Sequence, residues 1–211
     1  NPYEISNASE LQAMEDDLNA NYELENDIDA SDTAQFNNGR GFDPIGNSSS
    51  PFTGSLNGNN QAITGLTINR PDEDDIGFFG RSSGALTNVT LTNLTVTGNN
   101  TVGGLAGRND ARGTVRNVTI SGNTVGDSQV GGVVGFNVGS IQGSTVSVSV
   151  DGADGVGGVV GNNLPEATVR DVTASNSVSG IKNVGGVVGD NGIGGAIQNA
   201  TASGSVNGDT N

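Results

Sequence analysis

The chain has 211 residues, 35 of them glycine, with 32% hydrophobic and 4% aromatic content and no Trp, Cys or His. Lacking His and Cys, it has no zinc site of the usual kind, no thiolate nucleophile and no Ser-His-Asp triad. Its 23 acids against 8 bases (formal charge −15) exclude nucleic acid as a partner, and no apolar run approaches the roughly 18 residues of a membrane span.

Residues 1–50 are expected to form an N-terminal cap. Asn7-Ala8-Ser9-Glu10 is a capping box, and Leu11, Met14 and Leu18 fall on one face of a helix predicted over about residues 7–19. Tyr22 to Ile28 then alternates as a first strand. Such a cap hides a sheet edge that would otherwise recruit other strands. The charge is concentrated here: residues 1–75 hold 15 acids and two bases, residues 76–211 eight acids and six bases. Glu15-Asp16-Asp17 and Asp72-Glu73-Asp74-Asp75 lack the alternating spacing of a calcium loop, so they read as a solvated acidic surface. No metal and no cofactor is expected. Acidity with a single lysine, Lys182, fits a protein of salty surroundings, where screening relieves self-repulsion.

Residues 51–211 are expected to be a repeat body. Val102-Gly103-Gly104-Leu105-Ala106-Gly107 returns at Val130–Gly135, Val156–Gly161 and Val184–Gly189, after a degenerate copy at Ile76–Gly80. The steps are 26, 28, 26 and 28 residues. Leu86, Val115, Ile141, Val169 and Ile197 keep the same pace, each followed four residues later by Thr90, Thr119, Thr145, Thr173 and Thr201. Units this short and this poor in apolar residues bury a core only by stacking on one another. The Gly, Val, Thr, Ser and Asn content favours strands and turns over helix. The fold class is therefore all-β, a parallel β-solenoid of 26–28 residues per rung with a short N-terminal capping helix. The threonines form an outward structural ladder. At the far end, Ser205-Val206-Asn207-Gly208 shows no capping pattern, and Asn1 is not Met. The expectation is a segment of a longer polypeptide, or a rung covered by another partner.

The motif cores Gly104-Leu105-Ala106-Gly107, Gly132-Val133-Val134-Gly135, Gly158-Val159-Val160-Gly161 and Gly186-Val187-Val188-Gly189 resemble the GLUG-motif repeat family. The leading region, with Tyr22 to Asp29, Phe52 to Asn60 and Ile63 to Ile68, is also similar. The resemblance implies a right-handed parallel β-helix within large secreted or surface-anchored, adhesin-like microbial proteins. Some members attach such repeats to a metalloprotease domain with a His-Glu-x-x-His motif, for which this chain has no histidine. The family has no common catalytic residues to transfer.

Seven Asn-x-Ser/Thr sequons, at Asn7, Asn47, Asn88, Asn93, Asn99, Asn117 and Asn199, are candidate glycan acceptors. Asn88, Asn117 and Asn199 share one repeat column with Gly143 and Asp171, where a ladder at a bend is the structural alternative. The acids Asp127, Asp151, Asp154, Glu166, Asp171 and Asp190 sit in turn contexts rather than as a catalytic pair. Of Arg108, Arg112, Arg116 and Arg170, the last two share a column able to meet an acidic glycan, although pairing with Asp110 and Asp171 is the plainer role. The expectation is a non-enzymatic, extracellular structural or adhesive solenoid that partners itself end to end, the rest of a longer chain, or surface glycans. The alternative is a carbohydrate-active or carbohydrate-binding β-helix of the polysaccharide-lyase-like type.

Overall fold

A computed structural model describes residues 1–209 as a parallel β-solenoid. Each coil of the body visits three walls. One is wide and made of two stretches, such as Thr114–Arg116 followed by Thr119–Val125. In the last two coils these stretches merge into Thr168–Gly180 and Ala196–Gly208. The second wall stacks Asn100–Gly103, Ser128–Gly131, Asp154–Gly157 and Lys182–Gly185. The third stacks Phe79–Ser82, Ala106–Asn109, Val134–Asn137, Val160–Asn163 and Val188–Asn191.

Alternation along each short strand turns every second residue inward, and parallel pairing sets that residue over its equivalent about 4.8 Å away. Most inward columns are accordingly apolar. Leu56, Leu86, Val115, Ile141, Val169 and Ile197 form one of them. Ile76, Val102, Val130, Val156 and Val184 form another. The glycines between the second and third walls have a steric cause. A Cβ on Gly103, Gly131, Gly157 or Gly185 would lie 1.9–2.2 Å from the carbonyl oxygen three residues on, so the chain turns there only without a side chain.

The N-terminal end is closed. Glu10 N–H donates to Asn7 Oδ1 (3.0 Å), as a capping box requires. The Glu10 carboxylate, however, accepts from Ser6 N–H (2.7 Å) and Ser6 Oγ (2.9 Å), one residue earlier than the motif's usual partner. The helix is shorter than the predicted 7–19: Ala8–Ala13 is α-helical and Met14–Asp16 is one 3₁₀ turn. Asp17 ends it, because its carboxylate takes Asn19 N–H (3.1 Å) and its carbonyl accepts from Ala20 N–H and Tyr22 Oη. Leu11 and Met14 are fully buried on the first coils, and Leu18 reaches the core from beyond the helix. Stacking also begins before residue 51: Tyr3 pairs with Tyr22, and Tyr22 with Leu56.

Candidate functional site

The surfaces able to meet a partner are the outward columns, the groove beside the cap and the exposed far coil. On the wide wall, Thr90, Thr119, Thr145, Thr173 and Thr201 are direct neighbours in register. Beside them run Ser121, Ser147, Ser175 and Ser203, and beyond those Thr95, Asn123, Ser149, Ser177 and Ser205. Ser175 to Ser203 (3.0 Å) and Ser177 to Ser205 (3.1 Å) bond hydroxyl to hydroxyl along their columns. The result is a hydroxyl-rich stretch of the wide wall, interrupted in one column by Asn123.

Asn88, Asn117, Gly143, Asp171 and Asn199 lie at one corner, all with φ between 47° and 68°. Asn and Asp tolerate this left-handed conformation better than other side-chain-bearing residues. Their side chains face outward and bond along the shaft. Asn88 Nδ2 donates to Asn57 Oδ1 (3.0 Å), Asn117 Nδ2 to Asn88 Oδ1 (3.3 Å) and Asn199 Nδ2 to Asp171 Oδ1 (3.0 Å). Ladder and sequon thus coincide at three asparagines.

A second amide ladder, inside the shaft, was not foreseen. Asn109 Nδ2 donates to Asn137 Oδ1, Asn137 Nδ2 to Asn163 Oδ1 and Asn163 Nδ2 to Asn191 Oδ1, each at 2.8 Å. The first three residues are fully buried, and each amide nitrogen also reaches a nearby backbone carbonyl, those of Gly113, Gly139 and Ala167. The signal was present in Gly107-Arg108-Asn109, Gly135-Phe136-Asn137, Gly161-Asn162-Asn163 and Gly189-Asp190-Asn191, in step with the glycine motif. The ladder starts abruptly. Asn109 sits over Ser82, and Asn109 Oδ1 is buried without a partner.

The arginines follow expectation in part. Arg116 and Arg170 do share a column, but they flank Gln142, whose Oε1 accepts from both (3.4 and 2.6 Å). Asp171 instead accepts from Gln142 Nε2 (3.3 Å) and Asn199, so it is not the ion-pair partner of Arg170. Arg108 does bind Asp110 (Nε to Oδ1, 2.8 Å), joined by Arg81 (Nη2 to Oδ1, 3.0 Å), and its guanidinium lies 4.3 Å from the Phe136 ring centre. Burial pushes the Asp110 carboxyl up, but hydrogen bonds and charge from Arg81 and Arg108 outweigh it and hold the group below the ordinary range.

Beside the cap, the fold brings the two acidic runs together. Glu15, Asp16, Asp43, Glu73, Asp74 and Asp75 line an open groove of about 840 Å³. Arg70, its side chain almost fully buried, pairs with Asp43 (3.2 Å) and Glu73 (3.3 Å), and Arg40 also pairs with Glu73. Burial raises the Glu15 carboxyl, helped by Asp43 and Asp16, and burial likewise raises Asp75 against the pull of Arg81 and Arg108. Among the described residues no three carboxylates converge into a metal-binding group. No helix among them is long and apolar enough to cross a membrane.

The other sequons are scattered. Asn7 caps the helix, Asn47 Oδ1 holds the N–H groups of Ser49 and Ser50, and Asn99 Nδ2 donates to Asp74 Oδ1 (3.0 Å). Asn93 sits exposed on the wide wall with no side-chain hydrogen bond among the described residues. The far coil leaves Ile181, Ile197 and Val206 about half exposed and Ile193 97% exposed.

Comparison with known proteins finds likeness in motif, sequence and fold. The family described as "The GLUG motif" matches residues 98–126, the segment that includes the first full glycine motif. Halomucin of Haloquadratum walsbyi is 44% identical over 144 residues, which is 64% of this chain and 2% of that protein. A "Putative Gly-rich membrane protein" of Evansella cellulosilytica is 39% identical over 128 residues, 57% of this chain and 14% of that one. The chain thus spans a small part of the length of these relatives. A crystal structure described as "a putative immunoglobulin A1 protease from Bacteroides ovatus" superposes with a TM-score of 0.76 at 20% identity, covering 97% of this chain and 67% of the other. At that identity the likeness is one of fold. The matched motif returns in register along the second and third walls, so the chain resembles GLUG-motif repeat proteins and has the parallel β-solenoid fold.

Proposed function

We propose that this chain is a non-enzymatic, extracellular shaft segment of a cell-surface protein, structural or adhesive in role. The reading is carried by unbroken register: Thr90 to Thr201 and Val102 to Val184 stack coil on coil without a gap on either wall. Stacking of that kind makes a stiff, elongated body whose length scales with repeat number. The names of the relatives, a halomucin and a membrane protein, agree with a surface location, and the acidic balance suits salty surroundings. The far coil presents exposed isoleucines and unpaired strand N–H and C=O groups, onto which another coil of the same kind can stack.

The test is imaging combined with a turnover assay. Electron microscopy of the chain and of a tandem duplicate is expected to show rods, the duplicate twice as long. Turnover of a polyuronate that is lost in Arg170→Ala would overturn the reading in favour of a carbohydrate-active helix.

A further inference from the structure

The seven sequons are chemically alike in sequence and unlike in structure, and the difference lies in the amide nitrogen that would carry a sugar. In the corner ladder, Nδ2 of Asn88, Asn117 and Asn199 is already a donor to the side chain of the neighbouring coil. Coils lie about 4.8 Å apart, so a sugar on one of these nitrogens would have to displace that neighbouring side chain. Asn99 Nδ2 is held by Asp74, and Asn7 Nδ2 by Ser6 Oγ at 3.3 Å while its carbonyl caps the helix. Asn47 has a free nitrogen but a carbonyl fixed by two backbone N–H groups.

Asn93 differs from all of these. Between Leu91 and Leu94 the strand spends two residues, Thr92 and Asn93, where its partner strand spends only Ser121. Asn93 is the extra residue of a β-bulge, at φ 53°, and bulges re-aim side chains out of the ladder. Leu91 and Leu94 stay buried on either side, while Asn93 and the sequon hydroxyl residue Thr95 are both exposed. Thr92, Ser121 and Asn123, the residues around the bulge, carry no long or aromatic side chain.

The structure assigns Asn93 as the glycan acceptor of this chain, with Asn47 second and the ladder asparagines unmodified in the folded state. The donor is a polyprenyl-phosphate-linked oligosaccharide acted on by a transferase that accepts Asn-x-Thr. Nδ2 attacks the anomeric carbon and an N–C bond forms. The C–O bond to phosphate breaks with its electron pair leaving on the phosphate, and the lost amide proton passes to a base of the transferase. No redox partner is involved. An Nδ2 free of hydrogen bonds can turn to attack, whereas a ladder nitrogen must first break its bond to the next coil.

The inference stands whether or not the shaft is adhesive. Its test is in vitro glycosylation of the purified chain, folded and urea-unfolded in parallel, with site occupancy read by glycopeptide mass spectrometry. Folded protein is expected to carry at least tenfold more glycan at Asn93 than at Asn88, Asn117 or Asn199, and the preference is expected to vanish on unfolding. Asn93→Gln and Thr95→Ala should each remove the major glycoform while leaving the circular dichroism of the fold unchanged. Equal or higher occupancy at Asn47 or at a ladder asparagine in folded protein overturns the assignment. So does a folded Asn93 left bare while the unfolded chain accepts sugar there.

Discussion

In the first coils, Phe52 stacks 4.9 Å from Phe79 and 6.3 Å from Tyr22, ring centre to ring centre. Two coils further along the same column stands Asn109, followed by Asn137, Asn163 and Asn191, with Ser82 at the junction. The base is therefore packed by aromatic bulk and the body by a repeated amide. Aromatic rings bury more apolar area than an amide, and Phe52 and Phe79 belong to the same buried core as Leu11 and Met14. An asparagine ladder contributes less per residue but gives every coil the same partner, and a one-residue slip breaks it. The change of material has a local cost at Asn109 Oδ1, which faces Ser82 and finds no donor.

This contrast breaks if truncating the base proves cheap. Phe79→Ala is expected to destabilise by about 3–5 kcal/mol, as for other buried phenylalanines, measured by urea unfolding. Asn137→Leu should cost about 1–3 kcal/mol, since it orphans Asn163 Oδ1 and leaves Asn109 Nδ2 only its longer bond to the Gly113 carbonyl. Asn191→Leu, at the exposed end, should cost less than ~1 kcal/mol; an equal loss at 191 and 137 would mean the ladder is not the cause. In the opposite direction, Thr124 is buried with an unpartnered hydroxyl between Val96 and Val150. Thr124→Val is expected to raise stability by about 1 kcal/mol in the same assay.

The smallest expected effect is of pH, and it has two signs. Glu15 and Asp75 titrate above their ordinary range when folded, so their protonation on descending from neutrality adds stability until the unfolded-state range is passed. Asp110 and Glu10 titrate below their ordinary range, so their contribution is complete above the unfolded-state values and is lost as pH falls through the folded ones. A melting-temperature profile should therefore rise slightly on entering the carboxylate range and fall below it. Asp110→Asn should flatten the acid limb and leave the part of the rise that comes from Glu15 intact.

Much of the shaft was legible because it repeats. The threonine column and the Val-Gly-Gly turns recur at steps only stacking explains, and the structure sets them in register. The inner ladder was equally periodic but hidden by residue type. Asparagine beside glycine reads as a turn former, and an amide is ordinarily assigned to the surface. The helix was overextended because Leu11, Met14 and Leu18 satisfy helical spacing, whereas the stop lies in hydrogen bonds made by Asp17. The bulge at Asn93 was invisible for another reason. It exists only relative to the partner strand, and one coil's sequence carries no sign of a mismatch with the next.

Each inner amide is fixed in sense, because its nitrogen must face a backbone carbonyl of its own coil, as Asn191 does with Gly195. Every oxygen in the row then points toward the capped base and every N–H toward the far end. Turning one amide end for end would set oxygen against oxygen on one side and hydrogen against hydrogen on the other. The row therefore holds its sense as a block, and its aligned dipoles give the shaft a head and a tail.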